Sequence, residues 1–384
     1  MPGQLPGFST YMKTLLLLLL VISLIALSTP AFAYKVGNLD FNVRASASER
    51  YDSNINYANG GKSDYITTLA GGLDASYEGH TSSMALTGNI DQDIFALNPK
   101  FDNLSEDISF KYMQDLSKID GIVIKDVLEH TYEPRSFEDA LGRTTGRYSY
   151  FRNRLNVDYN RELSKQFSMA LRYFGQIDIF SLSTLSDSYL NQGGGELSYY
   201  LNSQSIIFAS YDFIVRKFSP GSDATTNRVG GGARQYFTDQ LYFDVSGGAD
   251  FIDDYDNSRS TNPYVIATIT DDITEKTTVN ASFRKEVYTV PYSQDMYNYW
   301  EISGVATSRI LKRLDGSCRV FYGRGEYVNS GTTDDLFGLN AGATYEMTKY
   351  FNFNASYSYY SDISDVDARS YNKNVVKFSL AGKF

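Results

Sequence analysis

Cysteine is nearly absent from this sequence, and so are histidine and tryptophan. The 384 residues include one cysteine, Cys318, two histidines, His80 and His130, and one tryptophan. A single cysteine excludes a disulfide framework and any multi-cysteine metal centre within one chain. Two isolated histidines, with no nucleophile elbow and no paired-histidine motif beside them, leave general acid–base or metal-assisted hydrolysis without its usual parts. His130 stands next to Glu129 in the middle of an extended segment, and His80 falls in a turn. The chain therefore reads as non-enzymatic, with no cofactor.

Long hydrophobic runs are also missing. Mean hydropathy is −0.32, and the one extended apolar run, Leu15 to Leu27, spans 13 residues. That is short for a membrane helix, which needs about 20. It follows Lys13 and precedes the small-x-small pattern Ala31-Phe32-Ala33. This is the layout of a secretory signal peptide over residues 1–33, with Tyr34 as the first mature residue. Met12-Lys13 offers a natural alternative start. Basic charge is in deficit as well: 35 Lys and Arg face 45 Asp and Glu, a net charge of −10, which argues against nonspecific nucleic-acid binding.

What is abundant is aromatic and alternating. There are 32 Tyr and 24 Phe, and aromatic residues make up 15% of the chain. Apolar residues recur at every second position, as in Leu69, Gly71, Leu73, Ala75 and Tyr77, or Leu241, Phe243, Val245, Gly247, Ala249 and Phe251. A period of two places one residue set on each face of a strand. A polar chain rich in aromatics and alternating strands fits a membrane β-barrel, in which only alternate residues meet lipid and aromatic girdles mark both interfaces.

Turn chemistry gives the plan. Short polar turns centre near Gly79, Ser117, Leu163, Ser203, Asp239, Thr274, Arg313 and Thr348, at roughly 40-residue intervals. Between them lie longer segments rich in Asp, Asn, Ser, Gly and Tyr at 52–63, 96–103, 133–147, 178–188, 219–227, 252–262, 288–298, 326–335 and 360–370. Two long strands per repeat argue against a propeller blade, which carries four short ones. The expectation is all-β: one transmembrane antiparallel barrel over residues 34–384 with 18 strands, both termini periplasmic. Sixteen strands is the alternative, because residues 121–132 do not alternate cleanly. Acidic residues concentrate in the long loops. Asp253-Asp254-Tyr255-Asp256 and Asp362-x-x-Asp365-x-Asp367 cluster hard oxygens without the spacing of a calcium loop, so no metal site is assigned.

Parity then assigns a lumen face. Asp74, Glu78, Asp91, Asp93, Asp107 and Asp115 fall inward on one wall, with Lys111 the only base among them. Arg152, Arg154, Arg172, Arg216, Arg228 and Arg234 fall inward on another, against Asp158, Glu196 and Asp212. A charged Arg facing the lipid midplane costs ~2–4 kcal/mol, so inward is the default. Two lumens are consistent with this: a water-filled pore with a transverse field, or a salt-bridged plug.

The chain ends on an alternating apolar strand, Val376, Phe378, Leu380, Gly382 and Phe384, with Phe384 the last residue. This resembles the C-terminal signature of bacterial outer-membrane barrels, which the barrel-assembly machinery reads. The stretch Glu49-Arg50-Tyr51-Asp52-Ser53-Asn54-Ile55, with Ser63-Asp64-Tyr65-Ile66-Thr67 and Gly72-Leu73, resembles the start of the putative beta-barrel porin 2 family. That resemblance implies an outer-membrane barrel, often associated with exopolysaccharide synthesis and export, and supplies no catalytic residue. The expected function is porin-like passage of a solute or glycan across the outer membrane, among lipid and lipopolysaccharide. The alternative is a non-conducting accessory barrel of a polysaccharide export system.

Overall fold

In the computed structural model, residues 34–132 and 147–384 are described. The expected signal peptide and most of the loop at 133–147 lie outside them. Eighteen antiparallel strands close into one barrel. A short strand β1 (Tyr34–Val36) leads into β2 (Leu39–Asp52), β3 (Asp64–Glu78), β4 (Ser82–Phe95), β5 (Asn103–Asp115), β6 (Asp120–Thr131) and β7 (Tyr150–Glu162). Then come β8 (Phe167–Phe180), β9 (Asp187–Tyr200), β10 (Ser205–Ser219), β11 (Asp223–Tyr236), β12 (Leu241–Asp253) and β13 (Arg259–Thr274). The barrel finishes with β14 (Thr277–Thr289), β15 (Met296–Leu311), β16 (Leu314–Tyr327), β17 (Thr333–Glu346), β18 (Phe351–Ser364) and β19 (Tyr371–Lys383).

Each strand pairs with its sequence neighbour, and β19 closes on β2 from Val375↔Asp52 to Lys383↔Arg44. Phe384 completes the seam: its N–H donates to the Val43 carbonyl and its carbonyl accepts from Val43 N–H, both at 2.9 Å. The β2–β19 barrel has no open edge, so its ladders supply the backbone partners that lipid cannot. The segment at 121–132 is a full strand, β6, laddered to both β5 and β7. Its alternation is blurred because Val123 and Val127 occupy the lumen face while Ile122, Ile124 and Leu128 occupy the other.

The eight turns fall where expected, the sixth shifted by one residue to 275–276. Several loops are shorter than their composition suggests. The polar segment 219–227 reduces to three loop residues, because Asp223 to Asn227 join the β10–β11 ladder down to Lys217↔Asp223. Side chains are inverted relative to a soluble protein. Leu73 is 64% exposed and Ile302 55%, whereas Asp52, Asp64, Asp178 and Asp250 are fully buried. An apolar outer surface of this extent matches the lipid-facing band of an outer-membrane-type barrel.

Candidate functional site in the lumen

The lumen is built in three layers. At the turn end lies a cavity of about 1050 Å³, whose walls carry Asn156, Arg172, Gln192, Asp212, Arg234 and Tyr264 and whose rim reaches Ser117 and Lys118. The wall residues alternate along β7 to β13, so this face of each strand is the inner one. Through the register the same face holds Asp74, Asp91, Asp93, Asp107 and Asp115 on β3 to β5, and Lys111 opposite Lys125 on β5 and β6.

Above the cavity sits a layer of buried ion pairs. Arg152 pairs with Asp178, and Arg216 reaches Asp178 at 3.4 Å, the Ser188 hydroxyl at 2.7 Å and the Thr289 hydroxyl at 2.9 Å. The last contact runs from β10 to β14 across the barrel. Arg228 is held bidentate by Asp250 at 2.7 and 2.8 Å and reaches Glu286 on β14 at 2.8 Å. Planar guanidinium forks suit such doubly engaged carboxylates.

The loop end is capped. Tyr57, Tyr148, Tyr150, Phe180, Tyr292, Tyr297, Tyr299, Phe321, Tyr327 and Tyr371 form one buried cluster with Val290 and Leu336. The loop 290–295 folds inward to complete it. The Tyr292 carbonyl accepts from Ser186 N–H at 3.1 Å, the Pro291 carbonyl from the Ser188 hydroxyl at 2.6 Å, and Val290 has no exposed surface. Glycine on the inner face makes room for the rings. A Cβ on Gly325 would lie 2.0 Å from the Tyr297 ring, and one on Gly323 2.4 Å from the Tyr299 hydroxyl. Lys373 joins the cap by pairing with Asp52 at 2.8 Å while lying 3.6 Å from the Tyr57 ring centre.

This arrangement changes the meaning of the charged walls. All six lumen arginines predicted from parity are ion-paired: Arg154 with Glu129 at 2.7 Å, Arg172 with Glu196 at 3.4 Å and Arg234 with Asp244, besides Arg152, Arg216 and Arg228. They form no free basic wall. Asp74 and Asp93 are likewise met by Arg44 at 2.9 Å and Arg50 at 3.5 Å. Among the described residues of β4 to β10, Asp91, Asp107, Asp115, Asp158 and Asp212 carry no ion pair and face Lys111 and Lys125, so this side of the lumen is net acidic. Sequence reasoning missed Asp178 by assigning it to a loop, and missed Asp244, Asp250 and Glu286. Their parity places them inward, but their partners follow only from register.

Other candidates disperse. His80 lies in a turn-end loop, and His130 lies on the outer face near the loop end, 3.0 Å from Glu106. Asp254 and Asp256 cap their own loop by accepting from Tyr255 N–H at 2.6 Å and Ser258 N–H at 2.8 Å. Burial, with Asp256 and Asp295 nearby, raises the Asp254 carboxyl above its usual range, while Ser258 holds Asp256 below it. Asp365 accepts from Thr333 N–H at 3.1 Å, and Asp362 points inward from β18. Among the described residues, no group of three or more acidic, His or Cys side chains could hold a metal ion. Val376, Phe378 and Leu380 face outward on β19. Phe384 stacks beside Tyr350 and Phe351 at the turn end, with ring centres 6.4 and 5.6 Å apart.

A closed 18-stranded barrel with a polar interior and an apolar exterior is a porin-like fold of the outer-membrane type. Within that class, the family described as Putative beta-barrel porin 2 matches residues 223–384; it is the family that residues 49–73 resemble, and those residues lie outside the matched span. No curated protein matches the chain. Among solved structures, the outer membrane protein OpdK of Pseudomonas aeruginosa is similar at 10% identity, with 90% of this chain and 99% of that one covered and a TM-score of 0.51. OccK2 (OpdF) of the same organism is similar at 10% identity, 91% and 98% coverage and a TM-score of 0.50. The siderophore receptor PirA of Acinetobacter baumannii follows at 9% identity, 91% and 81% coverage and a TM-score of 0.51. At such identities the likeness is one of fold alone.

Proposed function

We propose that this barrel sits in the bacterial outer membrane, turns and termini in the periplasm, and passes small polar solutes through a lumen that is closed at rest on the loop side. The carrying observation is the polar cavity of about 1050 Å³ that opens at the turn end and stops beneath the aromatic cap. A volume of this order holds a solute of a few sugar units or fewer. The loop 290–295 is the gate. It is tied to the β8–β9 side by two hydrogen bonds and to Ser222, Tyr327 and Asn329 by others, none of them part of a strand ladder, so outward movement of one short segment would break the cap without disturbing the ladder.

The depth of burial in the cap favours one second reading: an accessory barrel that never conducts, serving a polysaccharide export system. Liposome swelling separates the two. Replacement of Pro291 to Gln294 by a two-glycine linker should admit small neutral sugars at rates well above wild type. If the shortened barrel is folded and still excludes them, the accessory reading stands.

A further inference from the structure

The outer face of the barrel carries one mid-depth carboxylate. Asp126 lies five residues below Thr131 and six above Asp120 on β6, about 13 Å of membrane depth from the loop end. Its cross-strand neighbours are Phe110 and Leu155, which belong to the lipid-facing set. Among the described residues, every other outward carboxylate lies within three positions of a strand end. Asn153 on β7 donates to Asp126 at 2.7 Å, and its amide also reaches the Val127 carbonyl, at 3.4 Å. Nearer the loop end on the same face, His130 meets Glu106 at 3.0 Å. Hydrocarbon chains offer such groups no partner, so an ionisable side chain at this depth is retained where protein covers it.

We propose that the β5–β7 face is the contact between two copies of this chain in the membrane. The seam is self-complementary. At each of two depths a copy presents both an acceptor and a donor: the second Asp126 oxygen with the Asn153 amide, then the Glu106 carboxylate with the Nε2–H that His130 carries in its imidazolium form. A twofold axis along the membrane normal sets equal depths against each other, so each donor meets the partner copy's acceptor. The long Asn153–Val127 bond is the one exchanged. Leu128, Ile124 and Ile108 between the polar pairs supply flat apolar packing. A lipid headgroup could satisfy only the upper pair.

The inference rests on the membrane-spanning part of the proposed function and not on conduction, so a barrel that never conducts leaves it intact. In a Cys318→Ala background, Leu128→Cys should link into dimers in outer-membrane preparations with a short bis-maleimide. Ile269→Cys, outward-facing on β13 at the far side, should not. In mild detergent the wild-type mass should be that of two copies. The double variant Asp126→Leu with Asn153→Leu should weaken dimerisation at least about tenfold with undiminished heat-modifiable barrel. A wild-type mass of one copy, or Leu128→Cys linking no better than Ile269→Cys or only to a different protein, overturns the proposal.

Discussion

Arg216 shows how a residue's role depends on what stands opposite. It is 1% exposed and bonded to Asp178, Ser188 and Thr289. Its charge is spent on joining strands rather than on attracting a solute. Removing one member of a buried ionic network leaves desolvated partners behind, and the loss is about 3 kcal/mol. Arg216→Ala should therefore lower the temperature at which the barrel loses its heat-modifiable mobility. An unchanged transition would show that the buried pairs bear no weight. The face of Arg216 was legible in the sequence because parity is local. Its neutralisation was not, because Asp178 lies near the end of β8, at the start of a Ser- and Asp-rich stretch that composition assigns to a loop.

At the scale of elements, strand order and turn positions were legible because turn chemistry and period two repeat along the chain. Loop lengths were less so: polar side chains at a barrel rim can sit on a paired strand as comfortably as in a loop. The β10–β11 connection is the clearest case, with Asp223 already on β11 and 3.2 Å from Lys217. This sets where a topology probe belongs. An epitope placed between Gly221 and Ser222 avoids the ladder and should be labelled on intact cells, whereas one at Asp239, between β11 and β12, should not. Labelling of the second site alone would reverse the proposed orientation. The inward fold of 290–295 had no sequence signal, since Val-Pro-Tyr reads as an ordinary loop until its contacts with Ser186 and Ser188 are known.

For the whole molecule, closure and gating are separate requirements. Closure is made by the β19–β2 ladder and extended by Phe384, which makes two backbone bonds to Val43 and packs its ring against Phe351. If the terminal strand is what the barrel-assembly machinery reads, deletion of Phe384 should divert the chain to periplasmic aggregates or degradation. A full yield of heat-modifiable barrel in the outer membrane would count against that role.

Under the proposed function, gating rests on the cap and selectivity on the charges left unpaired beneath it. Because the six arginines on β7, β8, β10 and β11 are neutralised, the accessible groups on that side, such as Asp107, Asp158 and Asp212 against Lys111 and Lys125, favour cations. That preference should fade with salt as the Debye length shortens from ~10 Å at 0.1 M to ~3 Å at 1 M. Planar-bilayer recording of the wild type beside the variant with a shortened 290–295 loop tests this most directly. The expected result is a wild type that is mostly shut and a variant that conducts steadily, with a reversal potential in a salt gradient on the cation side. A wild type as open as its shortened variant, or a steady current that prefers anions, would contradict the account.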